Sequence, residues 1–539
     1  MTLPEGPPAS QPQGRDATRR LASSALLIAV LGIGTILRLS EGISGGVWLD
    51  EYHTLLLAGA PTISEVLART SVEAHPPAYL IALHLVMRLV GEDPLVAKGL
   101  SVLCGVATLL LVALAAHRRR GVLSAIVAST VLGGSAVAVH FATEIRPYAV
   151  VALTILVGLL ATVSAVERPT LWRLLAQAGA LIVALGLNFL ALVLLPVGPL
   201  LGLLRAKPRL VAKQLLIGAV AVLVTSPPLV RVATELPPEA NEYLQTFWQG
   251  RTAVDALVVV GRDLLPSGRW PPAYGSTARR TGFDQGLEAF AMAGVVLVLA
   301  GAGAAGFARG GSRRLDLLDA GCAALLASAA ALASASFLLG RPVVTPGRFA
   351  ASFLPVVALL AGTAAAWGSV GRVGSLLLAA VAAANAGATL VGSEQDGVRI
   401  DRNELVSVVA ARELRGPLLV ISVGLTGTPL KYELRTRRDV SFASYPVEVD
   451  SHFGWWAPQK ALSEPGALRR DAAMLTGRAV AAAREGRIVL LTGGDHPVAA
   501  PLHAALSQAF LARPLHPLAR GASVLVLREA VPGPASQRR

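Results

Sequence analysis

Long apolar runs alternate with short polar segments along the first 392 residues of the chain. A helix needs roughly 20 mostly apolar residues to cross the hydrocarbon core of a bilayer. We therefore predict an α-helical polytopic membrane protein with about eleven transmembrane helices. The predicted spans are residues 21–39, 94–116, 122–141, 148–166, 171–187, 189–204, 212–230, 286–308, 317–339, 349–367 and 373–391.

The segment before the first span is rich in proline, glycine and glutamine and ends near Arg15, Arg19 and Arg20. Because such composition is typical of disorder, residues 1–20 are expected to form a disordered cytoplasmic leader. The following run, Leu21–Leu39, is longer than the apolar part of a signal peptide, and no clear small-residue cleavage site follows it. We interpret this run as a retained signal anchor.

Basic residues in the connections set the predicted orientation. If the amino terminus is cytoplasmic, every cytoplasmic connection carries lysine or arginine, as the positive-inside rule requires. These basic residues are Arg118, Arg119, Arg120, Arg168, Arg173, Arg205, Lys207, Arg209, Lys213, Arg309, Arg313, Arg314 and Arg372. The opposite, extracytoplasmic face then receives residues 40–93, 140–147, 231–285, 340–348 and 392–539.

Composition supports this class of protein. Of the 539 residues, 53% are hydrophobic and only 15% are charged, whereas ordinary soluble domains carry about 25% charged residues. The net charge of +14 lies largely in loops between apolar runs, so anionic lipid headgroups rather than nucleic acid are the expected partners of those loops. Cys104 and Cys322 lie inside apolar runs, where a packing role is expected rather than metal binding or a disulfide.

Two outer segments are too long to be simple connections. In residues 40–93, the stretches Ile63–Ala68 and Ala78–Val90 have helical apolar spacing, and we predict helices that lie on the membrane surface. Residues 231–285 are rich in proline and polar residues, and we predict a loop or cap over the outer face.

After Gly392 the composition changes to that of a soluble domain. Strand-like and helix-like segments alternate, which predicts an extracytoplasmic α/β domain over residues 393–539 with a largely parallel sheet. The turn at residues 493–495 could cradle a phosphate at a helix amino terminus, but it lacks the full glycine fingerprint, so a plain strand–helix turn is favoured. The predicted elements are a helix over Leu405–Leu414, strands over Leu418–Val423, Arg487–Thr492 and Ser523–Arg528, and a helix that extends to Phe510.

An acidic pair, Asp50 and Glu51, lies in the polar segment 48–54 that follows the first span. Ionisable groups near membrane depth are costly and often functional, so catalytic carboxylates are one interpretation. Because aspartate caps helix amino termini well, a hydrated loop with Asp50 as an N-cap is the other. The pair alone does not decide between them.

A second polar cluster begins at His75, which precedes Pro76 and Pro77. A residue before proline is held in extended backbone. The imidazole would therefore occupy a defined point before the helix that contains Tyr79, although a lone loop histidine often has no special role.

A third cluster, Glu-Ile-Arg-Pro-Tyr, occupies residues 144–148 in a short outer loop. Arg146 could clamp a phosphate with two hydrogen bonds, or it could be an interfacial anchor with Glu144 as its ion-pair partner. Arg341 and Arg348 lie in another short outer loop and depart from the basic-inside pattern, so we infer an anionic ligand on this face.

The order of these motifs resembles the GT-C superfamily of membrane glycosyltransferases, of the family 39/83 type that includes protein O-mannosyltransferases and lipid A aminoarabinose transferases. The motifs are Asp-Glu after an apolar span, His-Pro-Pro-x-Tyr and Glu-x-Arg-Pro-Tyr, and the resemblance covers roughly residues 20–370. It implies a GT-C fold and a polyprenyl-phosphate-linked sugar donor. It also implies transfer with inversion to a hydroxyl of an extracytoplasmic cell-envelope glycan, glycolipid or protein.

The same resemblance implies roles for individual residues. Asp50 is the expected general base, while the late Pro-x-Arg-Tyr motif is altered here by an intervening Gly347 and by Phe349. The expected acceptor or sugar contacts are Glu51, Tyr79, Glu144 and Tyr148, and the expected contacts to the donor phosphate are His75, Arg146 and Arg348. No metal ligand is predicted, although some GT-C enzymes use a divalent cation beside acidic residues.

Two other functions are compatible with a membrane protein of this kind. A polytopic transporter or lipid-linked-sugar flippase is the first, but transporters often contain inverted repeats and midplane polar residues, and this sequence has no visible repeat. A membrane-anchored binding protein that acts through residues 393–539 is the second. The Ala/Arg/Gly-rich composition and the lack of a eukaryotic retention signal favour a bacterial plasma membrane.

Overall fold

The computed structural model describes residues 13–44, 46–70, 73, 75–235, 245, 252–266, 282–308, 316–339, 347–391, 402–450, 458–494, 496–518 and 522–529. Helices dominate the part before residue 392. They are α1 (Gln13–Ser44), α2 (Leu49–Ala58), α3 (Ile63–Arg69), α4 (Ala78–Val90), α5 (Pro94–Arg120), α6 (Val122–Gly133), α7 (Ala136–Phe141), α8 (Tyr148–Glu167), α9 (Leu171–Leu187), α10 (Val197–Leu204), α11 (Pro208–Glu235), α12 (Ala253–Asp263), α13 (Gly282–Ala308), α14 (Leu317–Leu338), α15 (Arg348–Ala351), α16 (Leu354–Ala364) and α17 (Ser369–Val391). A 3-10 helix, Phe189–Leu194, lies between α9 and α10.

Six helices within the described residues are long and apolar enough to cross a membrane, which identifies a multi-pass membrane protein. They cover Arg20–Ile43, Pro94–Arg120, Tyr148–Glu167, Pro208–Pro228, Leu317–Leu338 and Ser369–Gly387. The other predicted spans correspond to shorter apolar helices, so the total of about eleven spans stays a prediction.

Three of the predicted spans are divided, and one of them, 189–204, consists of the 3-10 helix Phe189–Leu194 followed by α10. The run at 122–141 breaks at Gly134, and the Ser135 side chain caps α7 by accepting a hydrogen bond from the Ala138 amide at 3.3 Å. A Cβ at Gly134 would lie 2.3 Å from the carbonyl oxygen of Ala382, so the close approach of α17 requires glycine there. The run at 349–367 is likewise divided between α15 and α16.

The amino-terminal prediction is wrong in part. Helix α1 begins at Gln13, so residues 13–20 are helical rather than disordered. Residues 1–12 lie outside the described residues.

The described residues of segment 46–93, which the sequence predicts to be outer, contain three short helices. Helices α3 and α4 confirm the helices predicted over Ile63–Ala68 and Ala78–Val90. Helix α2 begins after Trp48, and just before it the Lys98 Nζ donates a hydrogen bond of 2.8 Å to the Gly46 carbonyl. This contact ties the entry to α2 to the first turns of α5.

Ion pairs join the opposite end of α5 to its neighbours. Arg119 Nη1 lies 2.6 Å from Glu167 Oε1 at the end of α8. Arg120 Nη2 lies 3.1 Å from Asp316 Oδ2 and 2.9 Å from Asp319 Oδ2 at the start of α14. The basic end of α5 is therefore one full helix length away from the first outer segment.

Residues 402–529 contain a five-stranded sheet of order β2-β1-β3-β5-β4. Its strands are β1 (Leu418–Val423), β2 (Val440–Tyr445), β3 (Ile488–Thr492), β4 (Phe510–Leu518) and β5 (Ala522–Glu529). The α-helices of this region are α18 (Arg402–Ala410), α19 (Thr428–Glu433), α20 (Pro458–Ser463), α21 (Pro465–Arg484) and α22 (Ala500–Leu506). Strand β1 pairs in parallel with β2 and β3, whereas β5 pairs antiparallel with β3 and β4. The sheet is therefore mixed rather than largely parallel.

Strands β1, β3 and β5 confirm the predicted strands to within one residue at each end. The helix predicted to reach Phe510 is wrong in length, because α22 ends at Leu506 and Phe510 begins β4. Asp495, in the glycine-rich turn, lies outside the described residues.

The carboxy-terminal region packs on α2. The ring centroids of Tyr52 and Tyr432 are 5.8 Å apart, and the Tyr432 hydroxyl donates a hydrogen bond to the Glu92 carbonyl. Arg435 Nη2 lies 2.8 Å from Glu92 Oε2. Helix α2 is thus held on one side by α19.

Candidate functional site

Asp50 and Arg348 form an ion pair that joins α2 to α15. Arg348 Nη2 donates to Asp50 Oδ2 at 2.7 Å. The N-cap of α2 is Trp48, so the N-cap role considered for Asp50 is wrong. Its carboxylate instead lies in the first turn, where the helix dipole favours negative charge. The Asp50 side chain is 30% exposed and that of Arg348 is 15% exposed.

The charges around Asp50 keep it ionised. Burial raises the pKa of Asp50, but Arg348 and Arg146 outweigh that effect, so the pKa lies below its usual value of 3.8. At neutral pH this carboxylate can accept a proton but has none to donate.

Aromatic rings surround the Arg348 guanidinium. Its Cζ lies 5.2 Å from the ring centroid of Trp48 and 5.9 Å from that of Tyr148. Such contacts attract a cation to the ring face. They hold the guanidinium between the start of α2 and the start of α8.

Glu51 connects the first and second outer loops. Its Oε2 accepts a hydrogen bond of 2.9 Å from the Trp48 amide, and its Oε1 accepts one of 2.8 Å from the Ile145 amide. The side chain is fully buried. The expected contact of Glu51 with an acceptor or sugar does not fit this geometry, because both oxygens bind backbone and neither reaches the surface.

Arg146 lies in a buried network with Thr54, Glu73 and His53. Its Nη1 donates to Thr54 Oγ1 at 2.9 Å and lies 4.0 Å from Glu73 Oε1. Thr54 in turn donates to the Asp50 carbonyl at 2.9 Å. The second outer loop is therefore linked directly to the turn that carries Asp50.

Glu73 binds His53 within the same network. Its Oε1 lies 2.7 Å from His53 Nε2. Burial raises the pKa of Glu73, but the His53 hydrogen bond and the charge of Arg146 outweigh burial and bring the pKa down to about 2. Glu73 is therefore an anion that balances Arg146.

His75 lies beside Tyr148 and Phe189. Its ring centroid is 6.2 Å from that of Tyr148, edge to face, and 6.5 Å from that of Phe189, stacked. Asn188 Nδ2 lies 3.4 Å from His75 Nδ1. Burial and Arg146 lower the pKa of His75 to about 4, so the imidazole is neutral at pH 7.

Glu144, Tyr79 and Tyr148 are each less than 5% exposed. Glu144 Oε1 lies 3.2 Å from His140 Nε2, and the Glu144 carbonyl accepts a hydrogen bond from Ser101. These three residues were predicted to contact the acceptor or the sugar. The structure instead buries them behind the surface of the site.

The structure thus brings the predicted residues of the first, second and late outer loops together. Sequence reasoning missed Glu73, although a carboxylate two residues before His75 was a usable signal. It also missed the pairing of Asp50 with Arg348, which are 298 residues apart. Arg341 lies outside the described residues.

The chain resembles solved glycosyltransferases in overall structure. ArnT from Cupriavidus metallidurans in the apo state matches with 13% sequence identity and a TM-score of 0.45, over 94% of this chain and 98% of that chain. ArnT bound to undecaprenyl phosphate matches with the same values. The archaeal oligosaccharyltransferase AglB from Archaeoglobus fulgidus, in complex with an inhibitory peptide and a dolichol-phosphate, matches with 11% identity and a TM-score of 0.49, over 95% of this chain and 74% of that chain.

ArnT and AglB are GT-C glycosyltransferases, the superfamily that the sequence motifs resemble. No family model and no curated protein matches the sequence.

Proposed function

We propose that the chain is an inverting glycosyltransferase that moves a sugar from a polyprenyl-phosphate donor to a hydroxyl of an extracytoplasmic acceptor. The Asp50–Arg348 pair carries this proposal, because it places an ionised, partly exposed carboxylate beside a cation at the meeting point of the outer loops. The order of the sequence motifs supplies the substrate class.

In the proposed reaction Asp50 accepts the proton of the acceptor hydroxyl. The acceptor oxygen bonds to the anomeric carbon, and the bond from that carbon to the phosphate oxygen breaks with its electron pair leaving on polyprenyl phosphate. General-base catalysis contributes roughly 10²–10⁴-fold. A carboxylate with a low pKa is a weak base, but it suffices when the leaving group is already good.

The departing phosphate needs positive charge near it. The Arg348 guanidinium beside Asp50 would supply this charge, and the buried Arg146 side chain would add to it. Since His75 is neutral at pH 7, its contact to the phosphate would be a hydrogen bond rather than an ion pair. Trp48, whose ring lies against the Arg348 guanidinium, would border the sugar.

Glu51, Tyr79 and Glu144 have a different role in this proposal. Because they are almost fully buried, we assign them to holding the loops in place around the substrate. Their substitution should therefore disturb the shape of the site before it disturbs the proton transfer.

Sugar transfer by reconstituted protein tests the proposal. Wild type, Asp50→Asn and the control Glu65→Gln are compared in vesicles that contain polyprenyl-phosphate sugars with a radiolabelled sugar, together with a cell-envelope fraction as acceptor. We expect wild type and Glu65→Gln to release polyprenyl phosphate and to label the acceptor, and Asp50→Asn to lose at least about 10²-fold. Label that crosses the bilayer while still attached to lipid would instead support a flippase.

We also propose that residues 21–392 form the membrane core and that residues 393–539 are an extracytoplasmic domain in a bacterial plasma membrane. The ion-paired basic end of α5, opposite the first outer segment, supports a cytoplasmic location for that end. A cysteine at exposed position Arg469 should react with a membrane-impermeant maleimide in spheroplasts, and one at Arg118 should not. The reverse pattern would overturn the orientation.

A further inference from the structure

The backbone immediately before Arg348 has an unusual conformation. Gly347 has φ +68° and ψ −54°, a region that residues with a side chain rarely adopt. These angles are close to those of the γ-turn with positive φ, which glycine adopts without strain because it has no Cβ. Because glycine has many other accessible conformations, a neighbouring contact is needed to hold this one.

Asp263 supplies that contact. The Gly347 amide donates a hydrogen bond of 2.6 Å to Asp263 Oδ2. Asp263 is only 7% exposed. Hydrogen bonds to an ionised carboxylate are shorter and about twice as strong as neutral ones. The contact therefore fixes the residue next to Arg348.

The segment around Asp263 is itself anchored on both sides. Arg262 Nε lies 2.7 Å from Glu288 Oε1 on α13. The Pro266 carbonyl accepts a hydrogen bond of 2.9 Å from Asn385 Nδ2, a buried residue of α17. Asp263 consequently acts from a rigid position rather than from a free loop end.

We propose that Asp263 is a positioning residue for the Asp50–Arg348 pair and acts through the Gly347 amide. The inference rests on the proposed function, because the pair matters only if Asp50 is the base. Asp263 binds the Gly347 amide, so it sets where α15 begins and hence where the Arg348 guanidinium lies.

The test compares Asp263→Ala, which removes the acceptor, with Asp263→Asn, which keeps an acceptor oxygen. Glu65→Gln is the control, since it removes a half-exposed carboxylate from α3. Two readouts are used: the Arg348–Asp50 distance in structures of each variant, and the kcat and KM of sugar transfer in vesicles.

We expect Asp263→Ala to open the pair beyond 4 Å and to lower kcat by about 10²-fold, with a smaller change in the donor KM, because misplacement by about 1 Å can have that effect. Asp263→Asn should keep the pair closed and retain activity within about tenfold. If Asp263→Ala fails to fold, Gly347→Ala serves instead, because a Cβ at φ +68° should displace the same turn.

Different results would overturn the positioning role of Asp263 and the proposed transferase activity. A closed pair with wild-type kcat in Asp263→Ala and Gly347→Ala would overturn the positioning role and leave the transferase proposal intact. An open pair in a protein whose wild type transfers no sugar would support the positioning role and overturn the transferase proposal.

Discussion

The Asp50 carboxylate accepts a hydrogen bond of 2.7 Å from the Arg348 guanidinium, across 298 residues of sequence. The pair joins the first turn of α2 to the first residue of α15. Each partner changes the other: Arg348 keeps Asp50 ionised, and Asp50 gives Arg348 a fixed direction. The proposed chemistry depends on this relationship.

Removing Arg348 should change the pH dependence of transfer. In wild type, Arg348 and Arg146 lower the pKa of Asp50 against the effect of burial. In Arg348→Met that lowering is partly lost, so the pKa rises and the acidic limb of kcat/KM moves to higher pH. Arg348→Lys keeps the charge without the planar fork and should show a smaller movement. An acidic limb at the same pH in all three proteins would rule out Asp50 as the titrating base.

Glu73 should stabilise the folded protein above its pKa. Its pKa is about 2 in the folded state against a usual 4.5, so its contribution is present above pH 4.5 and is lost as pH falls towards 2. Glu73→Gln leaves buried Arg146 with less compensation, and breaking a buried pair typically costs about 3–5 kcal/mol. We therefore expect Glu73→Gln to lower the thermal unfolding midpoint relative to wild type, and to lower it most near neutral pH. The midpoints are measured in detergent from pH 3 to pH 8.

The control for this measurement is Glu65→Gln. The Glu65 side chain is 50% exposed, and its 3.9 Å contact with Arg69 is a surface pair, worth about 0.5 kcal/mol or less. If Glu65→Gln lowers the midpoint as much as Glu73→Gln does, the buried network is not a stabilising element.

Asp263 should have the opposite pH dependence. Burial raises its pKa to about 6 from a usual 3.8. The folded protein favours protonated Asp263. This contribution to stability is therefore fully present below pH 3.8 and is lost as pH rises through 6. Removing that charge in Asp263→Asn should stabilise the protein by roughly 3 kcal/mol or less above pH 7, at about 1.4 kcal/mol per pKa unit. Parallel unfolding midpoints for wild type and Asp263→Asn between pH 4 and pH 8 would contradict this.

Helix α2 should depend on Tyr432 more than on Arg435. Tyr432 is buried against Tyr52, and deleting a buried aromatic ring typically costs about 3–5 kcal/mol. The Arg435–Glu92 pair is partly exposed and should be worth about 1 kcal/mol or less. Hydrogen exchange in α2 should therefore increase strongly in Tyr432→Ala and slightly in Arg435→Ala. If hydrogen exchange in α2 is as slow in both variants as in wild type, α19 does not support α2.

Local patterns predicted local structure well. Helix α4 has the predicted bounds, because its apolar spacing is helical and Pro76 and Pro77 mark its start. Strand β1 also has the predicted bounds, since a short apolar run between turns is typical of a buried strand. In both cases the information lies within the segment itself.

Long-range pairing was not predictable in the same way. The close approach of Ala382 to Gly134 is one such case, because the two residues lie in different helices far apart in sequence. Strand β4 was missed because it contains Pro514 and Pro517, which demote a run to an edge strand or a non-strand. The sequence placed Asp50, Arg146 and Arg348 on one face, but only the fold reveals that Arg348 binds Asp50.

A structure of the protein with a polyprenyl-phosphate sugar bound tests the central claim most directly. We predict that the anomeric carbon lies next to Asp50, with an acceptor hydroxyl able to reach one carboxylate oxygen, and that the phosphate contacts Arg348. A sugar bound with its anomeric carbon remote from Asp50, and a phosphate held by neither Arg348 nor Arg146, would contradict the account.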